Sequence, residues 1–143
     1  MTKQLMFYER AVPVTKERHG DLSVAFTGNY GFARHTNSLP LMAIEIPKAA
    51  QEYAIVFAGE GEALLPTAVL GLESEENAYV GPKGRWAAKY VPAFVRRYPF
   101  VFSSLNEGKS LALCVDEAFS GCNREGRGQR LFDDAGERTE YLK

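Results

Sequence analysis

The stretch YVPAFVRRYPF, residues 90–100, constrains local geometry more tightly than any other part of this chain. Pro92 has no amide hydrogen and clashes with a preceding helical turn, so it stands at a helix start. Pro99 pushes Tyr98 out of the α region, so a helix begun at Pro92 must end near Arg97. The two prolines therefore predict one short helix of about six residues, with a strand starting at Phe100. Arg96 and Arg97 are adjacent, so on that helix they point about 100° apart and cannot both face one partner. One is expected to face solvent. The other is expected to be partly buried and paired with a carboxylate, with Glu45 as its partner because Glu45 precedes the other proline-started helix.

That other helix is PKAAQEY, opened by Pro47 at a position where no amide donor is needed. The LPLMAIEI run before it reads as a strand. YAIVFAG and TAVLGL are apolar runs bounded by turn residues and read as buried strands, with NAYVG a third, shorter one before a GPKG turn. FVFSSL and SLALCVD flank NEGK, a hairpin signal. In SLALCVD, Leu111, Leu113 and Val115 share one face, and Ala112, Cys114 and Asp116 the other. Residues 1–38 read as extended chain and glycine-punctuated loop. From Ser120 onward the chain is polar and glycine-broken.

The expected architecture is α+β: a mostly antiparallel sheet over residues about 54–116, with short helices and extended N- and C-terminal arms. Residues 1–120 form the expected domain. Residues 121–143 form a polar C-terminal arm that docks through Leu131, Phe132, Tyr141 and Leu142 or stays partly disordered.

A chain of 143 residues with 45% apolar and 24% charged residues suits one ordinary soluble domain. A formal net charge of −1 gives no global pull toward nucleic acid or an anionic membrane. No apolar run is long enough for a membrane span. The N-terminal MTKQLMFYERAVPV lacks a secretory leader, which predicts a cytoplasmic location and leaves signal-independent export open. Charge is uneven locally. Glu60, Glu62, Glu73, Glu75 and Glu76 fall in a segment without bases, and Lys83, Arg85, Lys89, Arg96 and Arg97 in one without acids. Cys114 and Cys122 match no metal spacing, and the compartment favours free thiols, with Cys114 buried and Cys122 the more accessible.

Trp86, Tyr90, Phe94, Tyr98 and Phe100 read as core rather than as a stacking platform, and Trp86 and Tyr90 are expected to be buried. GPKGR lacks the spacing of a phosphate loop. His19 and His35, with Glu45, form no metal-ligand spacing. No cofactor, metal or catalytic motif is present. The candidate ligand-binding residues are Arg96, Arg97, Glu45, His19 and His35, and a small anionic ligand is the class that an arginine pair suits.

The block NAYVGPKGRWAAKYVPAFVRRYPFVF, with IEIPKAAQEYAIVFAG and AVLGL upstream, resembles the bacterial SapC-like family. That family's pattern falls here on Glu45, on Pro47 to Tyr53, on Val56 and Phe57, and on Gly71 and Leu72. It continues through Asn77, Trp86 and Tyr90 to Phe100, and Arg18-His19 fits its early RH. Ala54 stands where the pattern has proline. The name comes from a surface-array locus; a peptide-transporter permease of the same short name is excluded by the lack of spans. The resemblance implies no established reaction. It implies a non-enzymatic binding or accessory protein linked to bacterial surface layers or outer-membrane nutrient uptake, acting through a protein partner or self-association. A small-molecule enzyme or ligand sensor with an anion site near the arginine pair is the alternative. Members of the family run longer, which implies a short member or a truncated piece and leaves an exposed apolar surface, with a homodimer as the expected outcome.

Overall fold

The computed structural model describes residues 6–143. In chain order the strands and α-helices begin with β1 (Ala11–Pro13), α1 (Lys16–His19), β2 (Ser23–Val24) and β3 (Ser38–Pro40). They continue with α2 (Ile46–Ala49), β4 (Ala54–Ala58), β5 (Leu65–Val69) and α3 (Ala93–Arg96). Last come β6 (Phe100–Leu105), β7 (Ser110–Asp116), β8 (Cys122–Asn123) and β9 (Gln129–Arg130). The class is α+β. In place of one sheet the described residues form three small antiparallel sheets, in the orders β1-β7-β6, β8-β2-β9 and β3-β5-β4. The chain divides into two compact units, one built on Gly28–Tyr98 together with Phe7, the other on Tyr8–Thr27 and Pro99–Lys143.

In the first unit, β5 lies between β3 and β4, with Ala68 opposite both Leu39 and Ile55. Leu39, Leu41, Tyr53, Ala68, Leu70, Phe94 and Val95 form its core. Full burial of a side chain such as Leu39 or Leu70 contributes roughly 1.5–3 kcal/mol. The helix between the prolines is as expected. Pro92 caps α3 by accepting from Val95 and Arg96 N–H, at 2.9 and 3.0 Å, and Arg97 ends it. Phe94 and Val95 turn inward while Arg96 turns out. Phe7 packs its ring against Phe32, Phe94 and Tyr98. At the GPKG turn Gly84 has φ +72°, and a side chain there would strike Asn29 Oδ1. Only glycine fits it.

Two readings of this unit are corrected. YAIVFAG does form β4, but it is not buried: Phe57 is 70% exposed and Val56 45%. Only Ile55 of β4 packs on the core, and Ala54, Val56, Phe57 and Ala58 are exposed. Trp86 and Tyr90 are half-buried against the core rather than within it. Their polar atoms are held near the surface by hydrogen bonds described below.

In the second unit the 100–116 hairpin is as expected, with Val101 opposite Cys114 and β1 added along β7. Its turn is tight, with Glu107 at φ 55° and Gly108 at φ 89°. Asp116, fully buried, ends β7 by accepting from the N–H groups of Glu9, Arg10 and Ala118 at 2.9, 2.9 and 3.0 Å. Residues 1–38 were expected to be irregular; residues 1–5 lie outside the described residues, but β1, α1 and β2 lie within the rest and β3 begins at Ser38. Their pairing partners are far along the chain, since Ser23 lies between Asn123 and Arg130. The C-terminal residues supply β8 and β9, and Leu131, Phe132 and Leu142 pack with Leu22, Val24 and Val115. Tyr141 is 42% exposed and meets the Phe100 ring edge-on. Among the described residues no helix is long and apolar enough to cross a membrane.

Candidate functional site

Glu45 ends a short 3₁₀ turn ahead of α2 and is buried. Its Oε2 accepts from Met42 N–H at 2.9 Å, and its Oε1 from Ala93 N–H and the Tyr90 hydroxyl, both at 2.7 Å. The carboxylate thus ties its own turn to the first residue of α3. Burial pushes the Glu45 carboxyl upward, but the Ala93, Tyr90 and Met42 hydrogen bonds and the Arg96 charge leave it below its ordinary value. Burial and the bond to Glu45 in turn raise the Tyr90 phenol.

Arg96 and Arg97 play unequal roles. Arg96 is exposed. Its Nε donates to Val91 O at 2.8 Å, and its Nη2 reaches the Tyr90 hydroxyl at 3.4 Å. It meets Glu45 through Tyr90, with no direct ion pair. Arg97 is half-buried and lies over the Phe94 ring at 4.0 Å. Its Nε and Nη2 are shielded from solvent and have no hydrogen-bond partner among the described residues. The expected Arg–Glu45 pair is therefore replaced by two arrangements, because backbone amides and a phenol already satisfy Glu45.

Around this point the half-buried aromatics are wired together. Trp86 Nε1 donates to Tyr53 Oη at 2.8 Å, and the Tyr53 hydroxyl donates to Tyr90 O. Burial is the main cause that pushes the Tyr53 phenol up to about 12. Glu52 accepts from the N–H groups of Lys89 and Tyr90 at 2.9 and 2.8 Å. Beside Glu45 and Arg97 is a pocket of about 420 Å³ whose walls include Pro40, Leu41, Met42, Leu65 and Phe94.

The histidines do not join this group. His35 is exposed, with Nδ1 3.3 Å from Glu75 O. His19 belongs to the other unit and is fully buried. Thr15 N–H donates to its Nδ1 at 3.1 Å, so Nε2 carries the hydrogen facing Glu117 Oε1 at 3.2 Å. Arg18 grips the same carboxylate through Nε and Nη2, at 2.6 and 2.7 Å, and Arg10 approaches it at 3.3 Å. The Arg18 hydrogen bond is the largest cause that brings the Glu117 carboxyl down to about 2. Glu117 lies 98 residues from His19, and nothing in the local sequence pairs them. Among the described residues no cluster of His, Cys, Asp and Glu is placed to hold a metal ion.

The SapC family model matches residues 14–143. The chain belongs to the SapC family. The match includes the whole RWAAKYVPAFVRRYPF block and extends through β8 and β9 into the C-terminal residues. No curated protein and no solved structure matches this SapC chain.

Proposed function

We propose that this SapC-family chain is a non-enzymatic binding or accessory protein that takes an extended segment of a protein partner onto the free edge of β4. The observation that carries the reading is the strand itself. AIVFA has no charge and no proline, lies at the edge of its sheet, and exposes Val56 and Phe57. Edge strands that must stay unpaired carry a charge, a proline or a bulge. β4 carries none of these. Strand addition supplies backbone hydrogen bonds for affinity and alternate side-chain contacts for specificity.

Charge selects the partner. Glu60 and Glu62 follow the strand on exposed chain, and Glu52 precedes it. An antiparallel pairing of two copies about Val56 would bring Glu52 of each toward Glu60 of the other. Like charges at that spacing disfavour a second copy and favour an extended apolar segment flanked by lysine or arginine. On this reading the segment belongs to a surface-layer or outer-membrane uptake component, the role that the family resemblance implies.

The test uses two fluorescent peptides with the same apolar five-residue centre, one flanked by lysines and one by glutamates. Anisotropy should give a Kd on the order of 10 μM for the lysine-flanked peptide. Binding should be at least about tenfold weaker for the glutamate-flanked one. Val56→Lys should abolish binding while leaving the melting profile intact. Equal binding of the two peptides, binding unaffected by Val56→Lys, or a dimer that forms through β4 would overturn the proposal.

A further inference from the structure

We infer that the pocket beside Arg97 is a site for the carboxylate of a small apolar acid. The inference stands on observations separate from β4. The pocket, about 420 Å³, is of the size that holds a small ligand, and its walls are largely aliphatic and aromatic. Two charged groups border it, Glu45 and Arg97. Glu45 is spent: Oε1 serves Tyr90 and Ala93, and Oε2 serves Met42. Its negative charge is further offset by Arg96. Arg97 is not spent, since both Nε and Nη2 lack an acceptor among the described residues in a water-shielded place.

Those two atoms are the side-on fork of a guanidinium, the pair that matches the two oxygens of one carboxylate. The same protein shows the fork in use. Arg18 holds the carboxylate of Glu117 through its Nε and Nη2 at 2.6 and 2.7 Å. A buried donor without an acceptor is costly, so a cation kept in that condition at the wall of an apolar pocket suits an anionic partner from outside the chain. Phosphate fits poorly, because the walls offer it no second cation or hydroxyl. A single carboxylate on an apolar body satisfies both parts of the site.

Octanoate is the probe, with octanol as its uncharged counterpart and inorganic phosphate as its tail-less one. Titration calorimetry should give octanoate a Kd on the order of 100 μM. Octanol and phosphate should each bind at least about tenfold more weakly. Arg97→Gln should lose octanoate by roughly tenfold or more, and Arg97→Lys, which keeps the charge but not the fork, should also weaken it. Lysine-flanked peptide binding at β4 should be unchanged in both variants, which also shows that they fold. Octanoate binding undiminished in Arg97→Gln, octanol binding equal to octanoate, or no octanoate binding by the native protein would overturn the inference.

Discussion

Replacing Glu45 by alanine should unfasten the first unit from within. Glu45 is 5% exposed and, among the described residues, is the acceptor for Met42 N–H and Ala93 N–H, and it also receives the Tyr90 hydroxyl. A hydrogen bond to a charged group contributes about 1.5–3 kcal/mol. Tyr90 is only half-buried, so its hydroxyl can turn to water and its share is small. The two backbone donors then set the loss at about 3–5 kcal/mol. Glu45→Gln keeps one oxygen for Ala93 and Tyr90 but points an amide at Met42 N–H, so about 1.5–3 kcal/mol is expected. Trp86 is the one tryptophan of the chain and packs on the core of this unit, so its fluorescence in urea reports the right transition. At a slope of about 1.5 kcal/mol/M, Glu45→Ala should lower the midpoint by roughly 2–3 M. The charge has a pH signature. Because the folded carboxyl is held below its unfolded value of about 4.5, its contribution is complete above that pH. The contribution is lost as pH falls through the lowered folded value, where native protein and Glu45→Gln should converge. A midpoint shift worth under about 1 kcal/mol for Glu45→Ala would refute the fastening role.

The adjacent arginines should separate in stability measurements. Arg96→Ala removes exposed contacts and should cost under about 1 kcal/mol. Arg97→Met replaces a half-buried cation whose Nε and Nη2 have no acceptor among the described residues, and should shift stability by under about 1 kcal/mol in either direction; a loss above about 3 would mean that Arg97 has a structural partner. Burial, with the Asp116 and Glu117 charges, pushes the Cys122 thiol up to about 11, so native protein at pH 8 should react slowly with a disulfide reagent. Unfolding without reductant should then reveal two free thiols, and none would contradict the structure. Glu117, titrating near 2 in the fold, stabilises the second unit above about pH 4.5 and less as pH falls toward 2. The stability gap between native protein and Glu117→Gln should shrink across that window, and a constant gap would argue against the Arg18–Glu117 grip.

What could be read in the sequence was whatever local chemistry decides. Pro92 and Pro99 bounded α3 because proline acts on its immediate neighbours, and the NEGK turn located β6 and β7. The divergence of Arg96 and Arg97 also followed from helix geometry alone. What stayed hidden depends on distant pairing. Ser23 and Val24 become a strand only through residues about a hundred positions later, so a two-residue strand carried no periodicity to find. AIVFA looks the same whether it is central or at an edge, and only the order of its sheet reveals its exposure. Glu45 was expected to pair with an arginine, but the capture of its oxygens by Tyr90 and two backbone amides has no signature in residue type.

Amide hydrogen exchange across Ala54–Ala58, with and without the lysine-flanked peptide, tests the binding role of β4 most directly. Protection should rise in β4 when the peptide is added, because the added strand gives its outward amides new acceptors, and should stay unchanged in β6 and β7. Protection that rises elsewhere, or a peptide that binds and leaves β4 exchange as it was, would contradict strand addition at this edge.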